Sequence, residues 1–294
     1  TYKDHRNRLV YLLRKEEKNY YQRLIVENKD CMRKTWGIIK NVINQTRKKN
    51  LKTKFMFNNT IISDKYDISN KFNDYFISIG STLAKKIPHQ AVDFSHFLPA
   101  ANQHSLFLNP VTNDEIKKII LSLNSASPGW DELTSDSVKL VPNNISPPLT
   151  HILNLSFQQG VFPSELKTAK VSPLYKANDP MKFNNYRPIS ILTVFSKIFE
   201  KIMHSRLLDF LNKYQILYKY QFGFQKGHST YMALILLLDN LSSALEKGEY
   251  AVGIFLDFQK AFDTVDHHIL LKKLENYGIR GVALSWFASY LSNR

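Results

Sequence analysis

The segment from Tyr250 to Asp257 leaves the chain few choices. Ala251, Val252, Ile254, Phe255 and Leu256 form an apolar run that stops abruptly at a carboxylate, Asp257. A short run of this composition predicts a buried β-strand over Ala251–Leu256. Such a strand would deliver one aspartate to a metal at the edge of a sheet. An aromatic, Phe262, stands five residues after Asp257, and Asp263 and Asp266 follow. Each residue also has a plainer reading. Asp257 taken alone is as readily an ordinary strand end. Asp263 or Asp266 suits the N-cap of a helix predicted from His267. Phe262 taken alone is an ordinary core phenylalanine. His267 and His268 are not a metal pair, because adjacent side chains on a helix point in different directions.

Composition narrows the class. A chain of 294 residues can hold one large domain or two small ones. The hydrophobic fraction of 44%, with 19 Phe and 15 Tyr, is enough for a core and argues against wholesale disorder. The longest apolar run, Ala233–Leu238, is far short of a bilayer span, and the first residues show no apolar signal-peptide core. No membrane partner is expected. The single cysteine, Cys31, excludes an intramolecular disulfide framework and a cysteine zinc cluster. It fits an intracellular compartment, nucleus or cytoplasm. The net charge is +15, of which residues 1–54 carry +11 and the remaining residues +4. A basic arm on a nearly neutral body suggests a polyanion partner, most simply nucleic acid; a solvated lysine-rich helical face is the plainer alternative.

Periodicity predicts helices over residues 1–50, with Leu9, Leu12 and Leu13, and then Trp36, Ile39 and Ile43, at helical spacing. A short β or loop segment over 51–66 turns at Asn58-Asn59. Asp67 is placed as the cap of a helix with Ile68, Phe72, Phe76, Ile79 and Leu83 on one face. Residues 88–110 lack periodicity and read as a linker, giving an N-terminal region 1–88, a linker 89–110 and a second region 111–294. The second region opens on Thr112-Asn-Asp-Glu115, a capping box, before Ile116, Ile119, Ile120 and Leu123. A helix near Ser146–Gln159 ends at Gly160. Lys170–Lys176 is a strand in which Pro173 argues for an edge, and 178–188 is a loop. Helices follow over Ser190–Tyr214, with Val194, Ile198 and Ile202 in step, and over Met232–Lys247, His267–Tyr277 and Val282–Leu291.

Four motifs then stand together. Phe255-Leu-Asp-Phe-Gln-Lys-Ala-Phe-Asp263, Asn185-Tyr-Arg-Pro-Ile-Ser190, Gln221-Phe-Gly-Phe-Gln-Lys-Gly-His-Ser-Thr230 and Pro128-Gly-Trp-Asp131 closely resemble the reverse transcriptase of non-LTR retrotransposons, in particular Jockey-like elements. Gly160-Val-Phe-Pro163 with Leu166-Lys167 fits the same family. The resemblance covers residues 111–294. Residues 1–110, with Thr35-Trp36 and Lys71–Phe76, look like the segment between endonuclease and polymerase in these proteins.

The resemblance implies an α+β fold: right-hand polymerase fingers and a partial palm, with a mainly helical basic N-terminal region. It implies RNA-directed DNA polymerisation with an RNA template, a DNA primer or target, deoxynucleoside triphosphates, and Mg²⁺ or Mn²⁺. Two such cations, about 3.5–4 Å apart, activate the 3′-hydroxyl and steady the leaving pyrophosphate. Asp257 matches the first metal-binding aspartate of the palm, with the Phe258 carbonyl near the same metal. Phe262 matches the aromatic steric gate that excludes a ribose 2′-hydroxyl. Arg187 matches the fingers arginine near the triphosphate, and Pro188 restricts it to extended geometry. Lys176 is a second candidate for those phosphates; a surface lysine is its plainer reading, as a solvated loop arginine is for Arg187. Gln221, Gly223, Lys226 and Gly227 match a turn beside template or nucleotide, although the glycines equally suit backbone geometry alone.

The sequence also departs from the family. It contains no Asp-Asp dipeptide, so the aromatic-x-Asp-Asp hairpin is not found, nor is the Pro-Gln-Gly segment expected after Asp257. The expectation is a fragment of fingers and early palm, without polymerase activity by itself. A non-catalytic nucleic-acid-binding remnant is the alternative. A transposase with three carboxylates on an RNase-H-like sheet would also use Asp257, but it leaves Arg187-Pro188 and the 221–230 turn unexplained. The four ordered motifs argue against a purely structural helical protein.

Overall fold

A computed structural model describes residues 2–42, 54–57, 60–87 and 93–294. The chain divides into two compact units, Thr1–Phe55 and Met56–Arg294. In the first, α1 (Tyr2–Glu27) and α2 (Met32–Val42) pack across a tight corner. Asn28 caps that corner by donating its side-chain amide to the Leu24 carbonyl at 2.8 Å, and Thr35 donates its hydroxyl to the Asn28 carbonyl at 3.0 Å. No residue of α1 is buried. Leu9, Leu12, Leu13, Trp36 and Ile39 lie in these helices as expected; Ile43, Asn58 and Asn59 fall outside the described residues.

A short ribbon, β1 (Phe55–Phe57) and β2 (Thr60–Ile62), precedes α3 (Lys65–Ala84). The cap of α3 is Asp64, whose carboxylate accepts from the Tyr66 and Asp67 amides. Asp67 therefore falls in the first turn rather than at the cap, three residues inside the position expected of it. The predicted apolar stripe is correct: Ile68, Phe72, Phe76, Ile79 and Leu83 lie on the covered side of the helix.

The core is built by α4 (Asn113–Ser122), α6 (Pro142–Gln159), α7 (Val194–Lys213) and α10 (Val282–Leu291), with α5 (Ser135–Lys139) alongside. Ile116, Ile120, Leu153, Phe162, Ile198, Ile202 and Trp286 are almost fully enclosed there. Burying each such side chain contributes about 1.5–3 kcal/mol. Thr112 caps α4 by accepting from the Glu115 amide. The capping box is only half formed, because Glu115 turns away to pair with Arg206 at 2.8 Å. Gly160 ends α6 in the left-handed conformation, φ 65°. The Trp286 indole N–H donates to Ser156 Oγ at 3.0 Å, so the largest core side chain is fixed by a polar bond as well as by packing.

A second apolar cluster joins α7 to the turn between α9 (His267–Asn276) and α10, around Phe210, Leu211, Ile279 and Ala283. Residues of the expected linker pack onto it. Leu106 is buried, its amide donates to the Gly278 carbonyl at 2.9 Å, and the Asn102 amide donates to Asn276. Helix α8 (Thr230–Glu246) is apolar as predicted but has no buried residue. No helix among the described residues is long and apolar enough to cross a membrane.

The second sheet is a hairpin of β3 (Ala169–Tyr175) and β4 (Tyr186–Leu192), with Pro173 opposite Pro188. The expected loop over 178–188 therefore closes earlier, and Arg187 and Pro188 belong to a strand. The Lys176 amide donates to the Asn185 carbonyl at 2.8 Å. Bonded and non-bonded pairs alternate along an antiparallel ladder. Counting from Lys176–Asn185 puts Pro173 and Pro188 at a non-bonded pair. Neither ring breaks a bond between the strands; each instead removes a donor from an outer edge, which discourages further pairing there.

Candidate active site

Arg187 sits on β4 opposite Leu174, and its side chain is exposed. Residues directly opposite share a face, and faces alternate along a strand. Tyr186 therefore points one way, toward Phe72 of α3 with ring centroids 5.2 Å apart. Arg187 points the other way. Lys176, one step beyond the Tyr175–Tyr186 pair, falls on the Arg187 face. The two cations are diagonal neighbours, a relation that keeps long side chains within reach of one another. Both are exposed, so one triphosphate could meet both.

Asp257 lies in a segment that the sequence misreads. Residues 251–258 are not a strand and not buried: they have no regular structure, and every one of them is exposed. Val252, Ile254, Phe255 and Leu256 each keep more than four-fifths of their surface, at 87%, 82%, 85% and 81%. The physical reason is pairing. An apolar run becomes a strand only beside another strand that takes its backbone hydrogen bonds. The two sheets among the described residues are closed two-stranded pairs that do not include it. Asp257 is thus held on an exposed loop rather than at a β-edge. Its carboxylate has no hydrogen bond or ion pair among the described residues. Asp266 is the cap of α9, accepting from the His268 and Ile269 amides, which settles the role left open between it and Asp263.

Two contacts join the motifs. Lys260, three residues after Asp257, donates from Nζ to the Tyr186 carbonyl at 3.4 Å, next to Arg187. Phe262 meets Phe224 of the 221–230 turn edge to face, with ring centroids 5.9 Å apart. Both rings are largely exposed, Phe262 at 80% and Phe224 at 90%. Phe262 is therefore not a core phenylalanine. Phe258 is also exposed. Lys260 and Phe224 adopt positive φ, 52° and 61°, a region that costs a non-glycine residue roughly 1–2 kcal/mol. Lys260 and Phe224 lie within the motifs, yet the resemblance implies no role for either. Side-chain chemistry alone does not mark them; their backbone geometry and contacts do.

In the turn, the Gln221 side-chain amide donates to the Gly223 carbonyl at 3.0 Å. Gly227 has φ +81° and needs glycine for its backbone. Gly223 does not: a Cβ there would meet only the Gln221 amide, at 3.7 Å. Lys226 is exposed, and its carbonyl lies 3.4 Å from His228 Nδ1.

The donor set partly fits a divalent cation. Asp257 offers a hard, unpaired carboxylate, and the Phe258 carbonyl is adjacent in sequence. No group of three acidic, histidine or cysteine side chains converges among the described residues. Mg²⁺ at nucleotide sites is commonly held by one or two carboxylates plus the phosphates it carries. The residues present therefore fit one ligand of a triphosphate-borne ion, not a complete protein cage.

Comparison with known proteins places a family match on part of the chain. Residues 175–294 match the family described as reverse transcriptase (RNA-dependent DNA polymerase). Over those residues the chain is similar to a reverse transcriptase domain. It is 36% identical over 179 residues to the RNA-directed DNA polymerase from mobile element jockey of Drosophila melanogaster, across 60% of this chain and 20% of that protein. It is 33% identical over 200 residues to the probable RNA-directed DNA polymerase from transposon BS of the same species, across 65% and 21%. A type-1 retrotransposable element R2 polyprotein of Popillia japonica is 25% identical over 186 residues. The chain spans about a fifth of the length of the jockey and BS proteins. The reverse transcriptase match holds the Arg187 strand, the 221–230 turn and the Asp257 segment. Helix α3 and the basic first unit lie before it.

Proposed function

We propose that this reverse transcriptase domain contributes the incoming-nucleotide side of an RNA-directed DNA polymerase site. The β3–β4 hairpin serves as fingers and residues 250–266 as the start of the palm of a right-hand polymerase. Arg187, with Lys176, holds the triphosphate through charge-assisted hydrogen bonds. Asp257, with the Phe258 carbonyl, takes one position on a magnesium or manganese ion borne by that triphosphate. Such an ion, when bound, would neutralise charge on the phosphates in transfer. Phe262, braced by Phe224, stands where a ribose 2′-hydroxyl would project. Gln221, Gly223, Lys226 and Gly227 form the template side. The partners are an RNA template and a DNA primer or target. The observation that carries this reading is the Lys260 bond to the Tyr186 carbonyl, which ties the metal-ligand segment to the triphosphate strand.

Titration with a fluorescent deoxyadenosine triphosphate tests it. Arg187→Ala should weaken binding by about the 1.5–3 kcal/mol of a charged hydrogen bond, roughly 10- to 100-fold. Asp257→Asn should abolish the gain from Mg²⁺, and Phe262→Ala should narrow the preference for deoxyribose over ribose. Wild-type affinity in Arg187→Ala together with retained Mg²⁺ dependence in Asp257→Asn would sink the reading. Primer extension by the 294-residue chain alone, on poly-rA/oligo-dT, should be nil because a second converging carboxylate is lacking among the described residues. Incorporation lost in Asp257→Ala would overturn that expectation. The alternative, a non-catalytic nucleic-acid-binding remnant, predicts template binding with no metal-dependent nucleotide affinity.

A further inference from the structure

We propose that helix α3, which precedes the reverse transcriptase match, is a positioning element that sets the Arg187 strand and the Asp257 loop in register. This deepens the nucleotide-site reading above and rests on it. One end of the covered face of α3 holds the hairpin. Phe72 is buried and packs edge to face on Phe183 and Tyr186, with centroids 4.6 and 5.2 Å away. Tyr186 immediately precedes Arg187, so the strand that presents the guanidinium is gripped at its first residue.

Two turns further along, the same face holds the loop. A Cβ built on Gly80 would lie 2.1 Å from the Asp263 carbonyl oxygen and 3.2 Å from its carbon. The helix backbone therefore touches the backbone of the 260–264 turn, a contact only glycine permits. Tyr75, between Phe72 and Gly80 on this face, feels the same turn: its phenol is pushed to higher pKa by partial burial and then by the Asp263 carboxylate. The turn is internally braced, with the Asp263 and Thr264 amides donating to the Lys260 carbonyl at 2.8 and 3.2 Å. Lys260 closes the circuit by reaching back to the Tyr186 carbonyl. Helix, strand and loop thus form a triangle with one contact on each side.

Gly80→Ala separates positioning from mere packing. Alanine strengthens a helix relative to glycine, so general damage to α3 is not the expected effect. The added methyl must instead displace the 260–264 turn. Hydrogen exchange on the full chain should then show several-fold faster exchange at Asp263 and Thr264, and at the β4 amides Arg187 and Ile189, with α6 and α10 unchanged. Deoxynucleoside triphosphate affinity should fall several-fold while the core keeps its wild-type protection. Lys260→Met should quicken β4 exchange while leaving the turn protected, and in the double variant Gly80→Ala should add nothing further at β4. Wild-type exchange at both the turn and β4 in Gly80→Ala would overturn the proposal. So would altered exchange spread evenly through α6 and α10. If the unaltered chain binds no triphosphate, the nucleotide-site reading fails, and the exchange pattern alone decides whether α3 couples the two segments.

Discussion

Ser196 is fully enclosed in the first turn of α7. Its amide donates to the Thr193 hydroxyl that caps the helix, at 3.1 Å. Its own hydroxyl has no partner among the described residues. Burying an unpaired hydroxyl costs about 1–3 kcal/mol. Ser196→Ala keeps the amide bond and removes the orphan, so it should be at least as stable as the parent, by up to about 1–2 kcal/mol in urea unfolding. A clear loss of stability would mean that the hydroxyl has a partner after all. Ile198→Ala, two residues on, should instead cost about 2–5 kcal/mol by leaving a cavity. Spacing announces part of this: Val194, Ile198 and Ile202 form the expected stripe and all three are buried, whereas nothing in the spacing announces the burial of Ser196. Residue identity likewise singles out Arg187, Asp257 and Phe262 as candidates. What it left out were the residues that connect them, Lys260, Phe224 and Gly80, because a contact across distant segments has no local sequence signature.

Capping and breaking residues made most helices legible. Thr112, Gly160 and Asp266 do what their chemistry suggests, while Asp64 displaces Asp67 because it stands one residue before the first helical one. Strands were harder. β3 is readable in the sequence, with Pro173 arguing for an edge, but β4 is split between an expected loop that ends at Pro188 and an expected helix that starts at Ser190. Parity rescues it: a proline opposite another proline at a non-bonded pair loses nothing between strands. The converse holds at 251–256, where the apolar run predicts a strand and no neighbour among the described residues receives it. The Pro128–Asp131 motif has a structural job that the sequence did not reveal. Gly129 is buried against the junction of β4 and α7, where a Cβ would lie 2.9 Å from the Thr193 amide nitrogen and 3.0 Å from the Leu192 carbonyl carbon. Those are backbone atoms and cannot swing aside. Gly129→Ala should therefore destabilise the fold by about 1–3 kcal/mol. It should also loosen β4 more than α10, measurable as a difference in amide exchange. Equal stability would show that the loop can retreat without consequence.

Charge is distributed along the chain in a way that the packing of the core does not require. Residues 1–54 carry +11, against +4 for all the rest, and α1 has no buried residue. Its arginines and lysines are therefore open to a polyanion, whereas the cations of the remaining residues are nearly balanced by carboxylates. Phosphate neutralisation releases counterions, so affinity falls linearly with salt on a logarithmic plot, by about 0.9 per phosphate neutralised on duplex DNA and about 0.7 on single strands. If the first unit grips nucleic acid, anisotropy titrations of the full chain should lose roughly 10³- to 10⁵-fold in affinity between 50 and 200 mM salt for 6–10 contacts. Replacing Arg6, Arg8, Arg14 and Lys15 with glutamine should lower that slope by about one for each phosphate contact removed. Because these residues are exposed, the melting temperature should not move. Triphosphate affinity, which the proposed function assigns to Arg187 and Lys176, should also be unchanged. A slope that survives the four substitutions would place the phosphate contacts on other residues, and a flat slope would show that phosphates are not gripped at all. The four substitutions thus distinguish a grip on the polymer from recognition of the nucleotide.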